Sequence, residues 1–161
     1  YALRSKLDIP VLGPGQAAFH VACMLGHKFS IITMWDEWFH LYTKVLSQYK
    51  LESRCASMRS IDTRPDLAEL LAGKEEVIFE KLEAEARKAI EQDNADVIVL
   101  GSTTMHQSHA YLQAVLPVPV INPGLISYKL CEMFLETGLT HSRKAFAAPQ
   151  QPNDKMILSR N

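Results

Sequence analysis

The sequence predicts an α/β fold, doubly wound around a parallel sheet, and three observations carry that expectation. Short apolar runs closed by Gly or Pro alternate along the chain with segments of helical spacing. One run, "VIVL" within "DVIVLG" (96–101), is apolar throughout, as a strand covered on both faces must be. The chain has 161 residues, 47% of them apolar, enough to build a sizeable core.

The elements follow in order. The opening "YALRSKLDIP" has no Met and reads as the interior of a helix, so residues upstream are expected. "IPVLG" (9–13) is a short apolar run closed by glycine and predicts a first strand; "PGQAAFHVACMLG" then predicts a helix through Ala18, Val21, Ala22 and Leu25, stopping at Gly26. "KFSIIT" (28–33) reads as a second strand, followed by a helix capped by Asp36 and running through Phe39, Leu41, Val45 and Leu46 to about Tyr49. "RCASMRS" (54–60) predicts a third strand. A connector with a short helix from about Asp66 comes next, then a long amphipathic helix in "KEEVIFEKLEAEARKAIEQD" (74–93), rich in strong helix formers. "DVIVLG" is the fourth strand. A helix from His106 to Val115, a proline-bounded strand "VPVIN" (118–122), a helix from about Gly124 to Glu136 and an unstructured polar tail from Ala147 complete the reading.

Composition excludes several classes of function. Seventeen basic residues against eighteen acidic ones leave no net field, and the basic residues are scattered, which argues against nucleic acid or an anionic membrane as partner. No apolar run approaches the ~20 residues of a membrane span, and the N-terminus lacks the apolar stretch of a secretory signal. Cys23, Cys55 and Cys131 are widely spaced and form no CxxC pair, so free thiols and a cytoplasmic location are expected. All three read as small buried hydrophobes.

In open parallel sheets ligands bind beyond the carboxyl ends of the strands, where helix N-termini offer free amides. Three such ends carry suggestive residues: Gly13 to Gln16, Thr33 to Trp35, and Gly101 to Thr104 with His106 one turn on. Glycine permits close backbone approach, and hydroxyls supply donors to a carboxylate or imide oxygen. Thr33 and the Ser102–Thr104 run also read as ordinary helix caps, although three hydroxyl residues in succession behind a glycine favour a site. "GPGQ" has neither the GxGxxG spacing of a dinucleotide fingerprint nor the GK[ST] of a phosphate loop, so nucleotide binding is not expected. His20, His27 and His40 read as surface or partly buried side chains. His106 and His109 share a helix face but have no carboxylate or cysteine at ligand spacing, so no metal site is expected.

The segments "ALRSKLDIPVLGPGQAAFHVACMLGHKFSIIT", "ADVIVLGSTTM" and "LPVPVINPGLISYKLCEMFLETGLTHSRKAF", taken together, resemble the Asp/Glu/hydantoin racemase superfamily, most closely its hydantoin and allantoin racemase branch, from Ala2 to about Phe146. The resemblance implies two similar Rossmann-like α/β lobes with the site in the cleft between them, no cofactor, and two cysteines facing each other across the substrate. Residues 1–120 would be mostly the second lobe, 121–146 a strand and helix returning toward an incomplete first lobe, and 147–161 the tail. Such a pair suits inversion at a carbon next to a carbonyl, where one group removes a proton from one face and the other delivers one to the opposite face. Thiols tune readily to that task, and backbone amides stabilise the developing enolate.

The sequence departs from the family pattern at two places. The first family cysteine would lie just upstream of Tyr1. The second falls in a "GC" step after the fourth strand, and that step here is Gly101-Ser102, with a hydroxyl far less acidic than a thiol. Gln16 also stands where relatives often carry glutamate. Three readings stay open: an ordinary racemase silenced by a replacement at Ser102, a single-cysteine isomerase or decarboxylase, and a binding protein that has kept the pocket and lost the reaction. The leading expectation is a racemase- or isomerase-like enzyme acting on a small carboxylate or hydantoin-type cyclic imide, without cofactor or metal, and assembled as a homo-oligomer. Ser102 is the expected acid/base position. Thr33, Gly101, Thr103, Gln16 and His106 are the expected substrate-binding residues.

Overall fold

The computed structural model describes residues 1–64 and 76–149 and resolves them into two compact units. One unit, Gly13–Tyr128, is built on a four-stranded sheet of β1 (Phe29–Thr33), β2 (Cys55–Ser60), β3 (Val97–Leu100) and β4 (Val120–Ile121). The strands lie in the order β2-β1-β3-β4, and every neighbouring pair is parallel. With them belong α2 (Pro14–Leu25), α3 (Phe39–Tyr49), α4 (Phe79–Asp93), α5 (His106–Val115) and the start of α6 (Pro123–Glu136), whose residues from Lys129 count with α1 (Ala2–Lys6) in the other unit.

The period-two alternation of a strand explains why the sheet is covered on both faces. Phe29, Ile31, Val97 and Val99 turn to one side and pack with Ala18, Phe19 and Ala22 of α2 and Leu46 of α3. Ile32, Ile98 and Leu100 turn to the other and meet Leu82, Ala86 and Ala89 of α4 and Leu112 of α5. β1 and β3 are therefore buried at every residue; β3 is apolar throughout, while the two buried hydroxyls of β1 are satisfied, Ser30 by Ser57 at 2.8 Å and Thr33 by Tyr42 at 3.0 Å. At the edge of the sheet, Arg59 of β2 grips Asp93 of α4 with two hydrogen bonds, of 2.6 and 3.0 Å, and reaches Glu85 at 3.3 Å.

The second unit joins residues 1–12 to the described residues from Lys129 onward. It contains no strand among those residues. The Arg143 guanidinium donates to the carbonyls of Arg4, Ser5 and Leu7 at 3.2, 3.0 and 2.8 Å and pairs with the Asp8 carboxylate. Val11 N–H donates to His141 Nε2 at 2.7 Å, and Tyr1 stacks obliquely on Phe146 while its hydroxyl donates to the Ala145 carbonyl.

Several expectations need correction. "IPVLG" is not a strand: Pro10 offers no amide, and the Val11 N–H is taken by a histidine rather than by a neighbouring strand. Asp36 does not cap a helix. It opens a single 3-10 turn (Asp36–Trp38), after which α3 starts with Trp38 at its cap and no side-chain cap bond. The long helix begins at Phe79, after a 3-10 turn at Glu76–Ile78, and the short helix expected from Asp66 lies outside the described residues. "VPVIN" yields a strand of only Val120 and Ile121: the Pro119 carbonyl accepts the Ile98 N–H at 2.9 Å but Pro119 has no N–H to give, and Asn122 turns to the next helix. The described residues hold one four-stranded sheet, in which Ile121 pairs with Val99. None of the described helices is long and apolar enough to cross a membrane.

Candidate functional site

The carboxyl ends of β1 and β3 are adjacent because Ile32 and Leu100 are register partners. The next residue along each strand brings Thr33 against Gly101. Gly101 N–H donates to the Ile32 carbonyl at 2.8 Å, extending the ladder by one bond beyond β3. A Cβ at this position would sit against the Tyr42 hydroxyl and 2.7 Å from both Cβ and Oγ1 of Thr33. The glycine is thus set by close approach of its neighbours rather than by an unusual backbone angle.

Tyr42 reaches this point from α3. Its hydroxyl donates to the Gly101 carbonyl at 2.9 Å and lies 3.0 Å from Thr33 Oγ1. A phenol has one proton, and here the Gly101 carbonyl takes it, so Thr33 is the donor in the second bond. Burial pushes the Tyr42 pKa up, with the Thr33 hydrogen bond opposing, which keeps the phenol protonated at neutral pH.

Beyond Gly101 the chain does not enter a helix at once. Ser102 Oγ accepts the Thr104 N–H at 3.3 Å and bonds the Thr104 hydroxyl at 2.9 Å, closing a serine turn. The helix starts at His106, with the fully buried Met105 at its cap position and no side-chain cap bond. Ser102, Thr103 and Thr104 therefore do not cap α5. From the next strand end, Asn122 (2% exposed) accepts the N–H groups of Gly124 and Leu125 at 2.9 and 3.2 Å, capping α6, and donates to the Met105 carbonyl at 3.3 Å. A Cβ on Gly124 would sit 3.2 Å from the Thr103 carbonyl oxygen, so the two loops are in close contact.

A hollow of about 170 Å³ opens beside these loops. Phe19 of α2, Leu41 and Val45 of α3, and Val99 and Leu100 of β3 give it apolar walls, while Pro14, Gly15, Tyr42, Gly101, Thr103 and Pro123 complete the lining. None of these residues is charged.

Of the residues singled out from the sequence, Gly101 and Thr103 line the hollow. Ser102 is half-buried in its serine turn next to them. Thr33 has no exposed surface, and its hydroxyl donates to that of Tyr42. Gln16 lies half-buried in the first turn of α2, one residue past the lining Gly15, and its carbonyl bonds the His20 ring. His106 is exposed at the start of α5, its Nδ1 3.5 Å from Asn122 Nδ2. His20, His27 and His40 are on the surface as expected. The cysteines are half-buried rather than buried. Burial pushes the Cys55 thiol up to about 11 and raises Cys23 despite the nearby Arg54 charge, so both are protonated at neutral pH.

Tyr42 and Asn122 were not singled out from the sequence. A signal existed for each. Tyr42 stands three residues after Phe39 and four before Leu46, a hydroxyl on an otherwise apolar stripe. Asn122 precedes Pro123-Gly124, the order expected of a cap followed by proline at the first helical position.

Comparison with known proteins agrees with this architecture. A hydantoin racemase from Pseudomonas sp. (strain NS671) is 28% identical over 152 residues, covering 94% of this chain and 60% of its own length. A hydantoin racemase from Rhizobium meliloti is 32% identical over 151 residues, covering 93% of this chain and 61% of its own. The chain thus spans about three-fifths of the length of these curated relatives. The solved structure of allantoin racemase from Klebsiella pneumoniae superposes with a TM-score of 0.84 at 32% identity, covering 94% of this chain and 61% of that one. The family model for Asp/Glu/Hydantoin racemase matches residues 1–131, and the chain belongs to that family.

Proposed function

We propose that this chain carries one half-site of a cofactor-independent racemase or isomerase that moves a proton at the carbon next to a carbonyl, acting on a hydantoin-type ring or a related small carboxylate. The observation that supports it best is the pinned Gly101-Ser102 step at the carboxyl end of β3, beside a hollow with room for a small organic group. Ser102 occupies the position of the second acid/base residue, and Gly101 and Thr103 border the space a substrate would fill. The hydantoin and allantoin racemases among its relatives suggest the ring. The apolar, uncharged walls favour a ring with an uncharged substituent over a dicarboxylate, whose second charge would be left unpaired there.

A second reading draws on the Ser102 hydroxyl itself, which bonds the Thr104 hydroxyl and so gains no base from that contact. On this reading the protein binds the ring and does not turn it over, or works as a one-sided isomerase or decarboxylase with an acid/base group supplied from elsewhere. Deuterium incorporation from D2O at the 5-position of 5-substituted hydantoins and at the α-carbon of small carboxylates, in the wild type and in Ser102→Cys, separates the two. For the enzyme, the substitution raises exchange on the order of 100-fold or more, the usual contribution of one positioned acid/base group. If neither protein exchanges but hydantoins raise the melting temperature, the binding reading replaces it. Absence of both effects removes the site.

A further inference from the structure

The Tyr42 hydroxyl pins the peptide that carries Ser102, and the reading above gives it no part in holding a ligand. Gly101 is held through both of its backbone groups: its N–H by the Ile32 carbonyl at 2.8 Å and its C=O by Tyr42 at 2.9 Å. Thr33 in turn holds the phenol from the opposite strand end at 3.0 Å. No peptide bond among the described residues is cis, and in a planar trans peptide the C=O of one residue and the N–H of the next point in opposite directions. With the Gly101 carbonyl fixed on a phenol that is 9% exposed, the Ser102 N–H is directed away from it. Turning the peptide over would break the Gly101–Tyr42 hydrogen bond and leave the buried phenol without its acceptor.

We propose that Tyr42 is a positioning residue that locks the Gly101–Ser102 peptide, so that the Ser102 amide is presented as a donor to an oxygen of the bound ring or carboxylate. This rests on the proposed function for the identity of the ligand, but the lock itself is a property of the unliganded protein. The phenol acts through the peptide and does not touch the reacting atoms. The chemistry of the donor follows: an amide held in place before the ligand arrives needs no reorganisation when charge develops on the oxygen it faces.

The test uses amide NMR of the whole chain with Tyr42→Phe, which keeps the ring in the wall of the hollow and deletes only the hydroxyl. Expected first, without ligand, is displacement of the Gly101 and Ser102 amide resonances, with resonances of the distant helix α4 unchanged. Expected second is a shift of the wild-type Ser102 amide on titration with hydantoin or with succinate, and binding of whichever of the two shifts it weakened roughly fivefold in Tyr42→Phe, the ratio expected for one neutral hydrogen bond. Thr33→Val, which removes the proton given to Tyr42 and leaves the Gly101 bond in place, moves the same resonances less. It also decides the matter if Tyr42→Phe does not fold. An unmoved Ser102 amide in these variants overturns the lock. A displaced amide in Tyr42→Phe with neither compound shifting Ser102 in the wild type counts against the proposed function and upholds the lock.

Discussion

In the sheet-centred unit, Ile31, Ile32, Ile98 and Val99 have no exposed surface and make the core by contact on both faces. In the other unit no residue of α1 is buried, and the backbone is tied instead by side chains reaching to it, Arg143 to three carbonyls and His141 to the Val11 amide. Apolar burial is non-directional and shared among many contacts, so it is insensitive to a single proton and is damaged only when buried volume is removed or added. Hydrogen bonds made by one guanidinium or one imidazole are directional and local; either set can be lost to a single substitution, and the bond accepted by the imidazole also to a single proton. The site sits on the first kind of scaffold.

Four measurements sharpen or break that contrast. Leu82→Ala, at a position with no exposed surface between α4 and the sheet, is expected to destabilise the sheet-centred unit by about 2–5 kcal/mol in a denaturant titration. A loss as small as that of a surface substitution would mean that this face is not the main source of cohesion. Gly101→Ala should cost about 1–3 kcal/mol, because the added methyl meets Thr33 and Tyr42. In Tyr42→Phe, where the obstructing hydroxyl is gone, the same substitution should cost less. Additive costs in that double-mutant cycle would deny the close approach.

Arg143→Ala is expected to cost only about 1 kcal/mol, and that locally. Amide exchange should speed up in residues 1–12 while Ile98 and Val99 keep their protection. Uniform deprotection of both regions would show one cooperative unit where the structure has two. The smallest effect is one of pH. Burial lowers the His141 pKa, and the Arg4 and Arg143 charges push the same way. The ring also accepts the Val11 N–H, which only the neutral form can do. With the folded pKa below the unfolded value near 6.5, the unfolded chain binds the proton first. Stability is therefore complete above about pH 6.5 and declines as pH falls from there toward the folded pKa. Val11 amide exchange, corrected for its intrinsic rate and followed from pH 7.5 to 5, should accelerate in the wild type and lose its pH dependence in His141→Gln.

The difference between the units also explains what the sequence disclosed. β1, β3 and α5 were legible because period two and period 3.6 are written directly in residues that must be buried, and His106–Val115 coincides with the expected helix. "IPVLG" was misread because apolarity alone does not make a strand. A run also needs a neighbour to bond with, and Val11 finds His141, 130 residues away. At the site, Gly101 and Thr103 were visible as a glycine and hydroxyl cluster after a buried strand. The bond from Thr33 to Tyr42 was not legible, since nothing local in the sequence shows that the two hydroxyls meet. For Asn122 only the cap before Pro123-Gly124 was legible; its bond to the Met105 carbonyl, 17 residues back, leaves no local trace in the sequence.

That carboxamide has a mechanical consequence. Asn122 holds the first turn of α6 with its oxygen and the Met105 carbonyl, at the threshold of α5, with its nitrogen. Two loops that leave different strands are riveted at one buried point, and Thr103 and Gly124 touch on either side of it. Displacing Ser102–Met105 without Asn122–Leu125 would therefore break the Asn122–Met105 bond and leave a buried carboxamide N–H and a carbonyl without each other.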